Sequence, residues 1–257
     1  MKLHIMTLSL DSMPFITWHL PTLNRLGLDW TWHIVHGAAM NGGSTKWCQK
    51  QQPRLSRDGT TEFFKSISHH PRVKIYENPR WDSKDTMTNI VTENIHDECV
   101  LLQMDSDEAW ESWQLEKIVR LMMTLPAYNV MQFRCQYFLG QNIIATGESS
   151  YGNRIGEWVR AWRFKPGMTF KSHEPPVLNG CTGPTISVNE TVAHGLIFQH
   201  YAYAFEQQVA FKGMFYGYPN AVAHWRRLQQ NTVWPVNRLK DFLPWVDQRA
   251  SADVLYK

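Results

Sequence analysis

The chain has 257 residues, 43% of them apolar and 19% charged, with a net charge of +3. That length allows one full core and hardly a second module, so a single domain over residues 1–257 is expected. The composition excludes disorder, no apolar run approaches the roughly eighteen residues that span a bilayer, and the charge is too slight for a nucleic-acid binder.

The N-terminus, Met1 to Ile5, is only briefly apolar and meets Asp11 and Pro14 where a signal peptide would need a hydrophobic stretch. A cytoplasmic location is therefore expected, without a transmembrane segment but with room for peripheral membrane contact. Cys48, Cys99, Cys135 and Cys181 include no Cys-x-x-Cys pair, so they are expected to be buried free thiols.

Residues 3–10 read as a strand that ends at Asp11-Ser12, followed by a helix with Pro14 in its first turn. Its stripe is Met13, Ile16, Leu20, Leu23 and Leu26. A second strand spans 30–35 and stops at His36-Gly37, and 38–58 is a loop. A helix over 60–69, a strand over 73–76, a loop through Asn78-Pro79 and a helix over 84–96 lead to the apolar run 99–104, a central strand covered on both faces. This alternation predicts an α/β fold with a doubly wound, mostly parallel sheet, its site at the carboxyl ends of the strands.

The second half is less regular. It reads as a helix at 112–124, strands near 129–138 and 158–164, a Pro/Gly-rich passage from 173 to 184, and helices at 202–214 and 221–229. The last twenty residues read as a tail packed over the surface. Of twelve tryptophans, Trp47, Trp81, Trp110 and Trp158 fall beside loop signals. Indole faces suit sugars and nucleobases, although most tryptophans are expected in the core or at its rim.

From Glu93 to Glu111 there are seven acids and no Lys or Arg. Asp105 and Asp107 follow the central strand directly, and side chains two apart on extended chain share a face. Two carboxylates in the crevice above a sheet suit a hard divalent cation such as Mg²⁺ or Mn²⁺ holding substrate phosphates. The plainer reading is a helix cap, with Glu108 favouring the dipole.

The stretch LLQMDSDEAW, with Lys84 and Asn89 on the preceding helix, resembles family 2-like glycosyltransferases with the GT-A fold. The resemblance implies that Asp105 and Asp107 hold Mn²⁺ or Mg²⁺ on the diphosphate of a nucleotide-sugar donor, with Lys84 and Asn89 as donor contacts. Residues 1–108 would be the nucleotide-sugar half, and 109–257 the acceptor-side half and tail. Arg160 to Phe164 followed by His173-Glu174 resembles the family's Arg-rich strand and acceptor-facing acid, which makes Glu174 the candidate base; Glu157, at the loop-to-strand junction Gly156-Glu157-Trp158 with an aromatic alongside, is the second candidate. His200, followed by Lys212, resembles the family's late metal-completing His and Lys. Where the family often has an Asp pair after the second strand, this chain has His36-Gly37, and Asp11 is the substitute for base recognition.

The expected function is thus metal-dependent transfer of a sugar from a nucleoside-diphosphate donor to a glycan or other hydroxyl-bearing acceptor, with inversion. One rival is a nucleotidyltransferase or sugar-phosphate pyrophosphorylase, which needs a Gly-rich basic loop after the first strand where this chain has Asp11 to Pro14. The other is a non-catalytic carbohydrate- or nucleotide-binding protein, which would account for the tryptophans but not for the acids.

Overall fold

The computed structural model describes residues 1–146 and 158–255, so the candidate Glu157 lies outside the described residues. Strand β1 (Lys2–Ser9) is followed by a 3-10 turn at Phe15–Trp18 and a short helix, α1 (His19–Asn24), in place of one continuous helix. Pro21 has no amide to donate back to Thr17, which breaks the regular ladder there. The expected stripe nonetheless packs inward at Ile16, Leu23 and Leu26.

Strand β2 (Trp30–Ala39), helix α2 (Thr60–Ile67), strand β3 (Val73–Trp81), helix α3 (Lys84–Glu93) and strand β4 (Cys99–Gln103) continue the alternation. Both β2 and β3 outrun their expected ends. Gly37, read as a stop, sits instead at a register shift between His36 and Ala38, beyond which Ala38 and Ala39 pair with Arg80 and Trp81. Its φ is +128°, and a Cβ there would lie 1.9 Å from the Asn78 carbonyl oxygen, so glycine lets the strand bulge and continue. The Asn78-Pro79 segment is accordingly strand and not loop.

After β4 come β5 (Glu108–Ala109), α4 (Ser112–Thr124), β6 (Val130–Gln132), β7 (Arg134–Tyr137) and β8 (Ile143–Thr146). Then follow β9 (Val159–Phe164), β10 (Thr169–His173), β11 (Pro176–Asn179), β12 (Thr185–Ile186), α5 (Val188–Ala193), β13 (Ile197–His200), α6 (Glu206–Tyr216), α7 (Ala221–Gln229) and β14 (Ser251–Val254). The Pro/Gly-rich passage after His173 thus contains a hairpin, β10 against β11.

The fold is mixed α/β, with a central sheet in the order β12-β6-β9-β4-β1-β2-β3. It is parallel throughout except for β9, which runs antiparallel to β4 and β6. Strand β4 is buried along its whole length, with Val100 and Leu102 in one core cluster and Cys99 and Leu101 in the other, as a strand covered on both faces requires. The chain advances outward from β1 through β2 to β3 and then returns to place β4 on the other side of β1. That reversal opens a crevice above the carboxyl ends of β1 and β4.

A smaller sheet, β5-β13-β7, stands beside this crevice. The C-terminal residues are not a surface tail. Leu239, Leu243, Ala250 and Ala252 are fully buried in the main core, and β14 pairs antiparallel with β8. Cys48, Cys99 and Cys135 are buried and Cys181 is half-buried. Among the described residues, no helix is long and apolar enough to cross a membrane.

Candidate functional site

The crevice holds a cleft of about 530 Å³, lined among others by Ser9, Gly37, Lys84, Asp105, Arg160 and Glu174. Asp105 and Asp107 stand where β4 ends, and neither caps a helix. Helix α4 is capped by Glu111, in a reciprocal box with Gln114, while Glu108 is in β5 with its backbone opposite His200. The chain turns between them through a Glu108 N–H to Asp105 carbonyl bond of 3.0 Å.

Each carboxylate of the pair has a cationic partner from the second half of the chain. Arg160 on β9 donates to Asp105 Oδ2 at 3.0 Å, and Gln103 donates to Oδ1 at 3.0 Å. Lys212 and Gln208 on α6 donate to Asp107 Oδ2 at 2.9 and 3.0 Å, and His200 Nε2 is 3.3 Å from Oδ1. Asp105, Asp107 and Glu108 thus lack counter-charge only locally in sequence. Burial would raise the Asp107 pKa, but the charges of Lys212 and His200 override it and hold the group well below the usual carboxylate range. Burial is likewise overridden at Asp105, chiefly by Arg160.

Glu108 lies behind this pair with a fully buried side chain, accepting from Arg160 Nε at 2.9 Å. Burial pushes it up to about 7 against the pull of Arg160. Arg160 itself lies over the Trp158 ring, 4.5 Å from its centroid, so one guanidinium is fixed by two acids and an indole.

On the facing wall, Ser83 caps α3 by accepting from the Thr86 amide at 3.1 Å, which sets Lys84 at the first helical position with its side chain in the cleft. The Lys84 ammonium donates to the Glu174 carboxylate. Neither arginine of β9 is the partner of Glu174. Instead Arg160 serves the Asp105 side, and Arg163 binds the Met122, Leu125 and Tyr128 carbonyls. Burial acts to raise the Glu174 pKa, but Lys84 and His173 hold it well below the usual carboxylate range.

Six of the sequence candidates therefore converge on one cleft: Lys84, Asp105, Asp107, Glu174, His200 and Lys212. Two stand apart. Asn89 faces away from it, its amide donating to the Phe170 carbonyl at 3.1 Å and accepting from the Phe170 N–H at 2.7 Å. Asp11 lies in the loop after β1, paired with Arg54 and accepting from the Arg57 amide at 2.9 Å. Asp85 escaped the sequence reading. Its carboxylate accepts from Ser44 N at 2.7 Å and from His173 N at 2.8 Å, fixing the segment that carries Glu174. Gln103 escaped too, although a lone amide in the apolar run 99–104 was its signal.

The chemistry of the donor set suits a hard cation, since carboxylate oxygens and an imidazole border one cleft. As placed, those oxygens are taken by Gln103, Arg160, Lys212, Gln208 and His200. Among the described residues, no three His, Cys, Asp or Glu side chains form a ready metal group.

No protein-family model matches the chain, and no curated protein matches it in sequence. Solved structures similar to it include S. aureus TarS 1–349, at 12% identity and a TM-score of 0.44 over 63% of this chain and 47% of that one. The chain thus spans less than half of that relative's length. The same TarS fragment in complex with UDP-GlcNAc matches with a TM-score of 0.43. The mannosyltransferase PcManGT from Pyrobaculum calidifontis, in complex with GDP-Man and Mn²⁺, matches at 12% identity with a TM-score of 0.42, over 63% of this chain and 44% of that one.

Proposed function

We propose that the protein is a glycosyltransferase that takes a sugar from a nucleoside-diphosphate donor and transfers it to an acceptor hydroxyl. The observation that carries this reading is the juxtaposition, in one cleft above the switch point of the sheet, of the Asp105/Asp107 pair, the cations Lys84, Arg160 and Lys212, and the carboxylate of Glu174. A diphosphate needs positive charge, and a hydroxyl nucleophile needs a base. Both stand in the same space.

The reaction is direct displacement. The acceptor oxygen bonds to the anomeric carbon as the bond to the diphosphate breaks, the hydroxyl proton passes to Glu174, and the configuration inverts. Lys84 and Lys212 steady the charge that gathers on the departing diphosphate. Arg160, locked between Asp105 and Glu108, fixes the loop that carries the acids. Asp85 keeps Glu174 in register.

Metal dependence is part of the proposal. The cleft acids Asp105, Asp107 and Glu174 are matched by Lys84, Arg160 and Lys212, so a donor diphosphate arrives with its charge uncompensated. A divalent ion held by Asp105, Asp107 and His200 would supply Lewis-acid neutralisation of the leaving group. Because those groups are engaged as they stand, the ion is expected to bind together with the diphosphate and not before it.

The test is release of nucleoside diphosphate from a panel of UDP-, GDP- and ADP-sugars offered with saccharide acceptors in the presence of Mn²⁺. Transfer with one donor supports the reading. Transfer with none, together with no binding of any nucleoside diphosphate, overturns it.

A further inference from the structure

The lysine expected to serve the donor is, in the structure, bound to the carboxylate expected to serve the acceptor. The two partners differ in how firmly they are held. Glu174 sits at the tip of the β10–β11 hairpin, flanked by His173, whose amide donates to Asp85 Oδ1 at 2.8 Å. Its own amide reaches Ser44 Oγ at 3.4 Å, and Ser44 is bound in turn by Asp85. Apart from its bond to Glu174, Lys84 is anchored through its backbone at the start of α3, and its ammonium lies 5.1 Å from the centroid of the Phe215 ring. A flexible four-carbon stem with a rotatable three-donor head can change acceptors without moving the helix.

We propose that Lys84 serves base and donor in turn: before the donor enters, its ammonium holds Glu174, and when the diphosphate arrives the ammonium passes to the phosphate oxygens and releases Glu174 to the acceptor hydroxyl. The proposal rests on the donor reading above and adds an order to it, donor before acceptor. An ion pair is exchanged for an ion pair, so no charge is left without a partner at Lys84. The released carboxylate, now beside a phosphate anion instead of an ammonium, binds a proton more readily and so becomes the better base. The other groups facing Glu174 are His173 at the end of β10, 3.6 Å from its carboxylate, and the buried thiol of Cys48 from the loop after β2. Asp105, across the cleft, acts on Lys84. His173 also lowers Glu174 and keeps its place through the exchange, so what changes at the carboxylate is the Lys84 charge.

The test follows the Glu174 carboxylate directly. Protein labelled with ¹³C-carboxyl glutamate is titrated with acid in the infrared, with the spectrum of Glu174→Gln subtracted, in the absence and presence of saturating inorganic pyrophosphate, UDP or GDP, with Mn²⁺ present throughout. Calorimetry on the same samples reports binding. Binding of the anion is expected to raise the proton affinity of Glu174 at least tenfold. In Lys84→Met the proton affinity is expected to be already raised, with only the direct effect of the anion remaining, while Lys84→Arg keeps the response. Anion binding that leaves Glu174 unmoved, or moves it equally in Lys84→Met, overturns the exchange while the donor reading stands. Failure of every probe to bind overturns the donor reading and the exchange with it.

Discussion

Lys212 on α6 and Asp107 at the end of β4 form an ion pair of 2.9 Å, and His200 on β13 stands 3.3 Å from the other oxygen of the same carboxylate. One acid thus joins the central sheet to the smaller sheet and to α6. Both partners are mostly buried, at 14% and 17% exposure for Asp107 and Lys212, so solvent screens the pair little.

Lys212→Met is expected to cost on the order of 3 kcal/mol at neutral pH, because it strands a buried carboxylate. The pH dependence has a definite sign. A depressed Asp107 pKa contributes stability above its ordinary value of 3.8 and loses it as pH falls through the folded-state value. Urea unfolding between pH 2 and 7 is expected to show a steep acid limb in the parent chain and a flatter one in Lys212→Met. Identical limbs would remove the pair from the account.

Arg160→Met leaves Glu108 buried without its cation, and a loss of about 3–5 kcal/mol is expected. Adding Glu108→Gln is expected to recover part of it. Because folding raises Glu108 from 4.5 to about 7, the folded chain holds that proton more tightly than the unfolded one, and stability falls as pH rises across this interval. Glu108→Gln should abolish that slope. Thermal midpoints of the single and double variants, taken through this range, check both points.

Asn89→Ala removes both hydrogen bonds to the Phe170 backbone, and a loss of about 1–3 kcal/mol in stability with unchanged nucleotide affinity is expected. Calorimetry beside unfolding separates the roles. Weakened nucleotide binding in an equally stable variant would restore the donor contact that the sequence resemblance implied.

Some of this was legible in the sequence because the signals were local. The apolar run placed β4, the helices read at 112–124 and 221–229 match α4 and α7, and the acids at the end of β4 placed the cleft. The counter-charges were not legible. Arg160 lies 55 residues from Asp105 and Lys212 lies 105 residues from Asp107, and only the return of β9 to the sheet and the docking of α6 bring them together. Gly37 read as a terminator because a turn and a bulge need the same positive φ. The C-terminal residues read as a tail because β14 gains its ladder from β8, a partner more than a hundred residues earlier. The resemblance named Asn89 by its spacing from Lys84, but residues five apart lie well separated around a helix, and only Lys84 reaches the cleft.

Glu174→Gln is expected to lower turnover by about 10²–10⁴-fold while nucleotide binding persists, since the amide keeps the shape and loses the base. Product NMR should show the anomeric configuration opposite to the donor's. Retained configuration, or near-normal turnover, would take the base role from Glu174.

The ion makes a separate prediction. Mn²⁺ alone is expected to give no measurable isotherm, because Lys212 and His200 already occupy Asp107, whereas Mn²⁺ with UDP or GDP is expected to tighten nucleotide binding at least tenfold. That gain should vanish with EDTA and in Asp107→Asn. Equal affinity with Mn²⁺ and with EDTA would show that the chain's own cations suffice.

The most direct measurement of the central claim is calorimetric titration of UDP, GDP and ADP into the parent chain and into Lys84→Met, each with Mn²⁺ present. The account predicts saturable one-to-one binding of at least one of these nucleotides to the parent chain and at least a tenfold loss in Lys84→Met, with the fold intact by circular dichroism. Binding of none of them, or equal binding by the two chains, would contradict it.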